Sequence, residues 1–477
     1  MPEPEGIDAL RERLRAGNLP TALLRGGAAP VLRVAGREIT GDDLLARAER
    51  VAGGLAARGV NPGDRVGLYA GNSLDWILAY LGGQRAGAVM VPFNPAYRSA
   101  EAEHILRDSD PAVVIADAER MPFVSGFAGR RLELEDLPLG DAPPLPDLEP
   151  SSPALIIYTS GTTGRPKGAL LDHGNLLAQA RGAIEAWRWT AADRLVHALP
   201  LFHLHGLGMG LHGTLLSGAS ATLVTFSPET VIAELEGDAT MFFGVPAMYQ
   251  RLCEHLEENP ADLSRVRLFV SGSAPLPPAL FERCRQLLGQ APVERYGITE
   301  GGIVVSNPYD GPRQAGRVGF PFAGVEVRLG FGDEIQLKGG QVFSGYLRNP
   351  EATEEAFEEG WFRTGDVGEI GLDGSLAIRG RSKELIISGG FNVYPREVEL
   401  VLEQHPAVAE VAVVGRVSER WGEEVTAFVV PAAPVSEADL IQFAQERLAK
   451  FKCPRAVHLI AALPRNAMGK VLRGELR

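Results

Sequence analysis

Residues 158–168 read Tyr158-Thr-Ser-Gly-Thr-Thr-Gly-Arg-Pro-Lys-Gly168. Four hydroxyl side chains, Thr159, Ser160, Thr162 and Thr163, surround Gly161 and Gly164, and Lys167 closes the segment. Glycine lets a backbone approach an anion closely. Successive N–H groups in such a turn form an anion-binding concavity. The hydroxyls add donors and the lysine adds charge. The preceding run Ala154-Leu-Ile-Ile157 reads as a buried strand. A strand followed by a glycine- and hydroxyl-rich loop and a lysine is a phosphate grip. It is not the P-loop, which needs Gly-Lys-Ser/Thr, because Gly168 follows Lys167 here.

Further segments carry matching chemistry: Tyr296-Gly-Ile-Thr-Glu300, Trp361-Phe-Arg-Thr-Gly-Asp366, Gly380-Arg381-Ser-Lys383 and Pro464-Arg-Asn-Ala-Met-Gly-Lys470. With the loop, these resemble, in order, the motifs of the adenylate-forming enzymes: acyl-CoA synthetases, luciferases and peptide-synthetase adenylation domains. The resemblance runs from about Thr40 to Lys470. It implies ATP, Mg²⁺ and coenzyme A as co-substrates, with Thr159, Ser160, Gly161, Thr162, Thr163, Gly164 and Lys167 holding the triphosphate. It also implies Tyr296 and Gly297 against adenine, Thr299 at phosphate, Glu300 on Mg²⁺, and Asp366 with Arg381 on the ribose. A carboxylate suits a hard cation that the phosphates also hold. By the same resemblance Lys470 reaches the reacting carboxylate and the α-phosphate, where an ammonium offsets developing charge. Lys383 falls at the family's hinge, followed by Glu384 where aspartate is common. Ser388, Gly389 and Gly390 fall in the loop that lines the pantetheine tunnel. Pro200-Leu-Phe-His203 falls where the family gates its acyl pocket, which makes His203 a catalytic and substrate-binding candidate.

The acid is a separate question. Arg251 stands beside an apolar segment, Ser273 ends a strand-like run, and Arg295 precedes Tyr296. A long fatty acid wants none of these charges, since burying an unpaired guanidinium is costly. A second carboxylate would pair with one, and arginine can grip it bidentately. Pro200-Leu-Phe-His-Leu-His-Gly206 and the Arg251 and Ser273 positions are similar to malonyl-CoA synthetases, which implies that Arg251 and Ser273 bind the distal carboxylate of malonate. The alternative for Arg251 is a helix surface, paired with Glu254 or Glu257. Ile303, in Gly301-Gly-Ile-Val-Val305, departs from that subfamily's Met-containing segment and points to methylmalonate or another short acid. A short- or medium-chain fatty acid, and a carrier-protein thiol in place of CoA, are the competing readings.

The chain has 477 residues, 45% hydrophobic and 22% charged, with a net charge of −13. That length suggests two or more domains. The charge argues against nucleic acid and anionic membrane surfaces as partners. Three isolated cysteines suggest neither a metal site nor a disulfide framework, which fits a cytoplasmic protein. No run reaches the length of a membrane span, the N-terminus lacks signal-peptide character, and oligomeric state is left open. Two superficial motifs are set aside. Gly208-Met-Gly-Leu-His-Gly213 fits G-x-G-x-x-G but reads as close helix packing, and His203-Leu-His205 has no acidic or Cys partner nearby for a metal.

The positioning elements follow from pattern. A capped helix spans about 40–60, a strand 64–69, a helix 73–86, and strands 89–92 and 113–116. Strands alternating with helices imply a doubly wound α/β architecture. A Pro-rich linker, Ala142–Pro150, leads into the loop, and a second alternating region runs from Ala191 to about Glu300. Short strands and Gly turns over 324–378 predict a β-rich subdomain. A compact α+β tail follows, with helices at 397–404 and 437–449 and strands at 408–414 and 426–430. The expected fold is α/β: a large N-terminal domain of layered sheets, residues 1–382, and a small mobile α+β domain, 383–477.

Overall fold

The computed structural model describes residues 7–15, 17–159, 166–388, 391–418, 421–466 and 469–477. Two mixed sheets form the centre of the large domain. One runs, in spatial order, through the strands Gly345–Tyr346, Lys167–Asp172, Pro153–Thr159, Val89–Pro92, Arg65–Tyr69, Val113–Ala116 and Arg130–Glu133. Its core strands are parallel and buried on both faces, as helix-covered sheets require. The helix Gly41–Ala56 starts at Thr40, whose side chain and that of Asp43 form a reciprocal capping box. The helix Leu74–Arg85 starts at Ser73, which accepts from Trp76 N–H.

The second sheet passes through Phe320–Pro321, Gly302–Ser306, Val293–Ile298, Leu268–Ser271, Met241–Gly244, Arg194–His197 and Ser220–Leu223. It ends on Pro30–Val34 and Arg37–Thr40, so the first strand of the chain lies beside a strand almost two hundred residues later. The two sheets share one apolar core that includes Trp76, Tyr80, Leu155, Trp187, Met209 and Phe243. Trp187 Nε1 donates to Ser306 Oγ at 2.9 Å, which satisfies the indole inside that core.

The Pro-rich linker packs tightly: an added Cβ on Gly87 would meet Pro146 at 2.8 Å, and just before the linker one on Gly54 would meet Pro138 O at 2.1 Å. The region 325–381 is the expected β-rich subdomain, an antiparallel sheet of Val325–Leu329, Glu334–Gly339, Phe357–Glu358, Trp361–Ile370 and Leu376–Arg381. Beyond it, Ile386–Ser388, Phe391–Val393, Val408–Ser418, Gly422–Pro431 and Ala456–Leu459 form a separate sheet. Helices Pro395–Leu402 and Glu437–Gln445 cover it, around a core of its own with Val398, Val413, Val429 and Leu440. The two long strands outrun the expected 408–414 and 426–430 because they pair with each other from Val408↔Pro431 to Ser418↔Gly422, well past the apolar run. Among the described residues no helix is long and apolar enough to cross a membrane.

Candidate active site

The two strands that flank the glycine- and hydroxyl-rich segment form a hairpin pair. Pro153–Thr159 and Lys167–Asp172 are antiparallel, with Thr159 opposite Lys167. Ser160, Gly161, Thr162, Thr163 and Gly164 lie outside the described residues; the two ends of the loop are described. Thr159 Oγ1 donates to Glu300 Oε1 at 3.0 Å. Lys167 Nζ stands 5.3 Å from the centroid of the Tyr346 ring, and Tyr346 OH donates to the same Glu300 oxygen at 3.1 Å. Nothing in the spacing of the sequence pointed to Tyr346. It arrives on a two-residue strand that pairs with the hairpin's second arm.

Thr299 and Glu300 form the turn between Val293–Ile298 and Gly302–Ser306. Gly297 sits at a register shift there, where a Cβ would meet Gly302 O at 2.3 Å, so only glycine fits. One residue earlier, Tyr296 OH donates to Asp366 Oδ2 at 2.7 Å. Asp366 pairs in register with Arg381 across two strands, and Arg381 Nε lies 3.0 Å from Asp366 Oδ1. Asp366 raises the Arg381 pKa, against the opposing effect of burial. Thus Tyr296, expected at the adenine, and Asp366 and Arg381, expected at the ribose, form one connected group. Glu300 is buried and offers one carboxylate facing the phosphate hairpin. That donor set fits Mg²⁺ held mainly by phosphate oxygens. Among the described residues no three His, Cys, Asp or Glu side chains gather as a closed metal site.

Lys470 stands in a short bridged segment, Arg465↔Val471, and its N–H donates to Asn466 Oδ1 at 3.0 Å. The side chain retains exposed surface, yet enough protein crowds it to lower its ammonium pKa, with the charge of Arg381 as the next cause. Glu384 and Asp366 act in the opposite direction, so Lys470 shares an electrostatic neighbourhood with the ribose group. Gly469 comes up against the large domain, where a Cβ would touch Ala247 at 3.7 Å. Lys383 belongs to the turn Ser382–Glu384, and Arg473 Nε lies 3.1 Å from Glu384 Oε2, tying the chain's end to that turn. Ser388 is buried, with no partner for its hydroxyl among the described residues; Gly389 and Gly390 lie outside them.

The acyl-pocket candidates separate into two places. Ser273 Oγ accepts from Arg295 Nη2 at 3.3 Å and lies 3.2 Å from His205 Nδ1. Burial lowers the pKa of His205 well below its usual value, with Arg295 assisting, so its ring is neutral. A hydrogen bond joins Ser273 Oγ and His205 Nδ1, and the second ring nitrogen is Nε2. That Nε2 and Arg295 Nε are both buried without a partner among the described residues. Burial pushes the Arg295 pKa down to about 9, which leaves it charged at neutral pH. No carboxylate of the described residues pairs with it. Two neighbouring residues are shaped around this group: Ser273 takes a φ of +69°, and a Cβ on Gly272 would sit 2.3 Å from Arg295 Nε. Unusual backbone of this kind costs of order 1–3 kcal/mol and clusters at ligand sites.

Arg251 and Ser273, both expected at the acid's distal carboxylate, have different protein partners. In the helix Pro246–Glu258, Tyr249, Leu252, Cys253 and Leu256 face the core, which leaves Arg251 on the outer side. There its guanidinium lies 5.0 Å from the centroid of the Phe226 ring, at a cleft of about 150 Å³ lined by Leu199, Pro200, Val245, Met248 and Gly469. It pairs with neither Glu254, which takes Gln250, nor Glu257, which takes Arg283. Arg295 is the arginine beside Ser273. Ile303 is buried in the main core with its N–H on Gln179 Oε1. His203 sits against Phe202 with its pKa lowered to about 4 by burial, so it is neutral as well. The G-x-G-x-x-G segment is helix packing, as read: His205–Leu211 is a π-helix, and a Cβ on Gly210 would meet His197 Cε1 at 2.1 Å.

Comparison with known proteins agrees with this geometry. The profile of the family described as "AMP-binding enzyme" matches residues 21–347, and that of its C-terminal domain matches 397–470. A feruloyl-CoA synthase of Amycolatopsis sp is 37% identical, over 94% of this chain and 95% of its own. A malonate–CoA ligase of Arabidopsis thaliana is 33% identical, over 87% and 78%. The crystal structure of ATP-bound MatB from Rhodopseudomonas palustris superposes with a TM-score of 0.92 at 37% identity, covering 97% of this chain and 98% of that one. The chain belongs to the AMP-binding enzyme family and is an AMP-forming acid–thiol ligase, of a family that works with ATP, Mg²⁺ and coenzyme A.

Proposed function

We propose that this ligase activates a short dicarboxylic acid, malonate first and methylmalonate second, and transfers it to coenzyme A in the cytoplasm. The observation that carries the reading is Arg295: a buried guanidinium with a serine, a neutral histidine and, among the described residues, no carboxylate around it. An unpaired buried charge is expensive. A ligand carboxylate removes that cost, and a methyl terminus does not. The malonate–CoA ligase named above and the similarity to MatB support the same acid.

In the first half-reaction the other carboxylate attacks the α-phosphorus of ATP and pyrophosphate leaves. Thr159, Ser160, Gly161, Thr162, Thr163, Gly164 and Lys167 hold the triphosphate. Tyr296 and Gly297 lie along the adenine, and Asp366 with Arg381 hold the ribose. Lys470 and Thr299 meet the charge that develops at the α-phosphate. Glu300 would hold Mg²⁺, which supplies positive charge to the phosphate oxygens. His203 gates the acid's entry. In the second half-reaction the small domain, 383–477, turns about Lys383 against 1–382. Ser388, Gly389 and Gly390 then face the thiol of CoA, which attacks the acyl carbon and releases AMP.

A second reading has its own observation. The cleft of Phe226, Val245, Met248 and Arg251 is mostly apolar and suits the body of a larger acid, such as the one named for the feruloyl-CoA synthase. Pyrophosphate release measured over malonate, methylmalonate, butyrate, octanoate and ferulate decides between them. The assay is run without a thiol, with CoA, and with a phosphopantetheinyl carrier protein. Turnover highest with malonate and CoA is the expected result. Preference for butyrate, octanoate or ferulate overturns the dicarboxylate reading, and preference for the carrier overturns the CoA reading.

A further inference from the structure

Cys253 lies on the helix Pro246–Glu258 and Cys284 on the helix Pro278–Leu287. Both are fully buried, and their Sγ atoms stand 3.6 Å apart. The two helices pack through Tyr249, Leu252, Leu256, Leu280 and Phe281. Neither thiol has a part in acid or nucleotide chemistry. Beside them, Arg283 Nε and Nη2 donate to the two oxygens of Glu257, each at 2.7 Å. Glu257 is one helical turn beyond Cys253, and Arg283 precedes Cys284. A forked ion pair therefore ties the same two helices next to the sulfur pair.

Either thiol can donate to the other, and the shared hydrogen bond favours a thiolate on one sulfur while the second keeps its proton. Arg283 adds a positive charge beside them that favours the thiolate. Both sulfurs are buried, so a small oxidant reaches them through local opening of the helix pair.

We propose that Cys253 and Cys284 are an oxidation site: a reversible disulfide, closed by an oxidant of the peroxide class, that staples the two helices and slows acid activation. The Cys253 sulfur attacks one oxygen of hydrogen peroxide. The O–O bond breaks, leaving a sulfenic acid on Cys253 and one water that carries the Cys253 proton. The Cys284 sulfur then attacks the Cys253 sulfur, the S–S bond forms, and the S–O bond breaks. The hydroxyl leaves with the Cys284 proton as a second water. Two thiols lose two electrons and two protons, and the peroxide gains them.

The consequence follows from position. A disulfide holds its sulfurs at about 2.05 Å, so side-chain rotation and helix movement must together close about 1.5 Å from the present separation. The helix that carries Cys253 also carries Ala247, Met248 and Arg251, which line the cleft against Gly469, next to Lys470. Displacing a positioning element by about 1 Å can cost up to about a hundredfold in rate.

The test treats the full-length protein with hydrogen peroxide under native conditions. Unreduced peptides are then mapped by mass spectrometry, and pyrophosphate release is followed before and after dithiothreitol. The expected result is a peptide pair linking Cys253 to Cys284, a rate down by about tenfold, and recovery on reduction. Cys284→Ala and Cys253→Ala each keep their rate under the same treatment, which separates the pair from any effect of Cys453. Oxidation confined to Cys453, a linked protein that keeps its full rate, or equal rate loss in the alanine variants each overturns the proposal.

Discussion

Arg295 Nη2 donates to Ser273 Oγ at 3.3 Å, and the serine holds that place with a φ of +69°. A buried cation with one neutral partner among the described residues is incomplete by itself, and under the proposed function the acid supplies the acceptor. Arg295→Met should therefore cost a dicarboxylic acid about 2–5 kcal/mol in kcat/KM, the range for losing one side of a buried charged contact. Butyrate should be used as well as before or better. Arg251→Ala, at the outer cleft, should cost malonate less than about tenfold by the measure of a partly exposed contact. Pyrophosphate release on both acids checks the pair of variants, and a larger loss in Arg251→Ala would move the carboxylate site to the cleft.

Gly272 tests the same site without removing any polar atom. A Cβ there would lie 2.3 Å from Arg295 Nε, so Gly272→Ala must push the guanidinium off its position. The expected outcome is a KM for the dicarboxylic acid raised by about tenfold or more, with KM for ATP unchanged, as expected when one charged hydrogen bond is misaligned. Steady-state kinetics with each substrate varied in turn reads both.

Lys470→Ala should lower pyrophosphate release by about 10²–10³, the size of one lost electrostatic contact to a transition state. Release of AMP from supplied acyl-AMP and CoA should be nearly intact. The pH dependence has a definite sign. The lysine acts as a cation, and its folded pKa lies below the usual value. Activity in the first half-reaction therefore falls on the alkaline side, at a lower pH than an exposed lysine would give.

Glu294 points to the opposite face of the strand from Arg295. Burial raises its pKa to about 7, opposed by a hydrogen bond from Leu276 N–H and then by the charge of Arg396. A carboxyl whose folded pKa exceeds its unfolded one binds more protons when folded, so stability falls as pH rises from about 4.5 to about 7 and stays lowered above that. Glu294→Gln keeps the acceptor for Leu276 and removes the titration. It should raise Tm relative to the parent chain at pH 8 and not at pH 4, by up to about 3 kcal/mol in stability. Thermal melts at the two pH values check it, and an equal shift at both would mean that the side chain's packing matters rather than its charge.

Gly210→Ala addresses the π-helix. The added carbon would meet His197 Cε1 at 2.1 Å inside a fully buried wall, so overpacking should cost about 1–3 kcal/mol. Denaturant unfolding measures this directly.

Local signals were written clearly along the chain. The capped helix beginning at Thr40, the strands Val89–Pro92 and Val113–Ala116, and the helix beyond Ser73 all follow from short-range periodicity and capping. The motif residues of the nucleotide group came instead from the family resemblance, which short local segments carry. Tyr296, Asp366 and Arg381 illustrate the limit: the sequence names all three, and only the pairing of Asp366 with Arg381 across two strands shows that they are bonded together. Tyr346 was silent because a lone aromatic after a glycine has no periodicity to read.

The sequence by itself determined the chemistry, since adenylation needs particular side chains at particular loop positions and these are local. Tertiary structure decided which arginine faces Ser273. Helix phase turned Arg251 outward over Phe226, and strand pairing brought Arg295 inward, across twenty-two residues of chain. It also placed the chain's first strand, Pro30–Val34, beside Ser220–Leu223. Such contacts depend on how sheets are ordered and which face a side chain takes, and those are settled by burying apolar surface over the whole core rather than by any neighbouring residue.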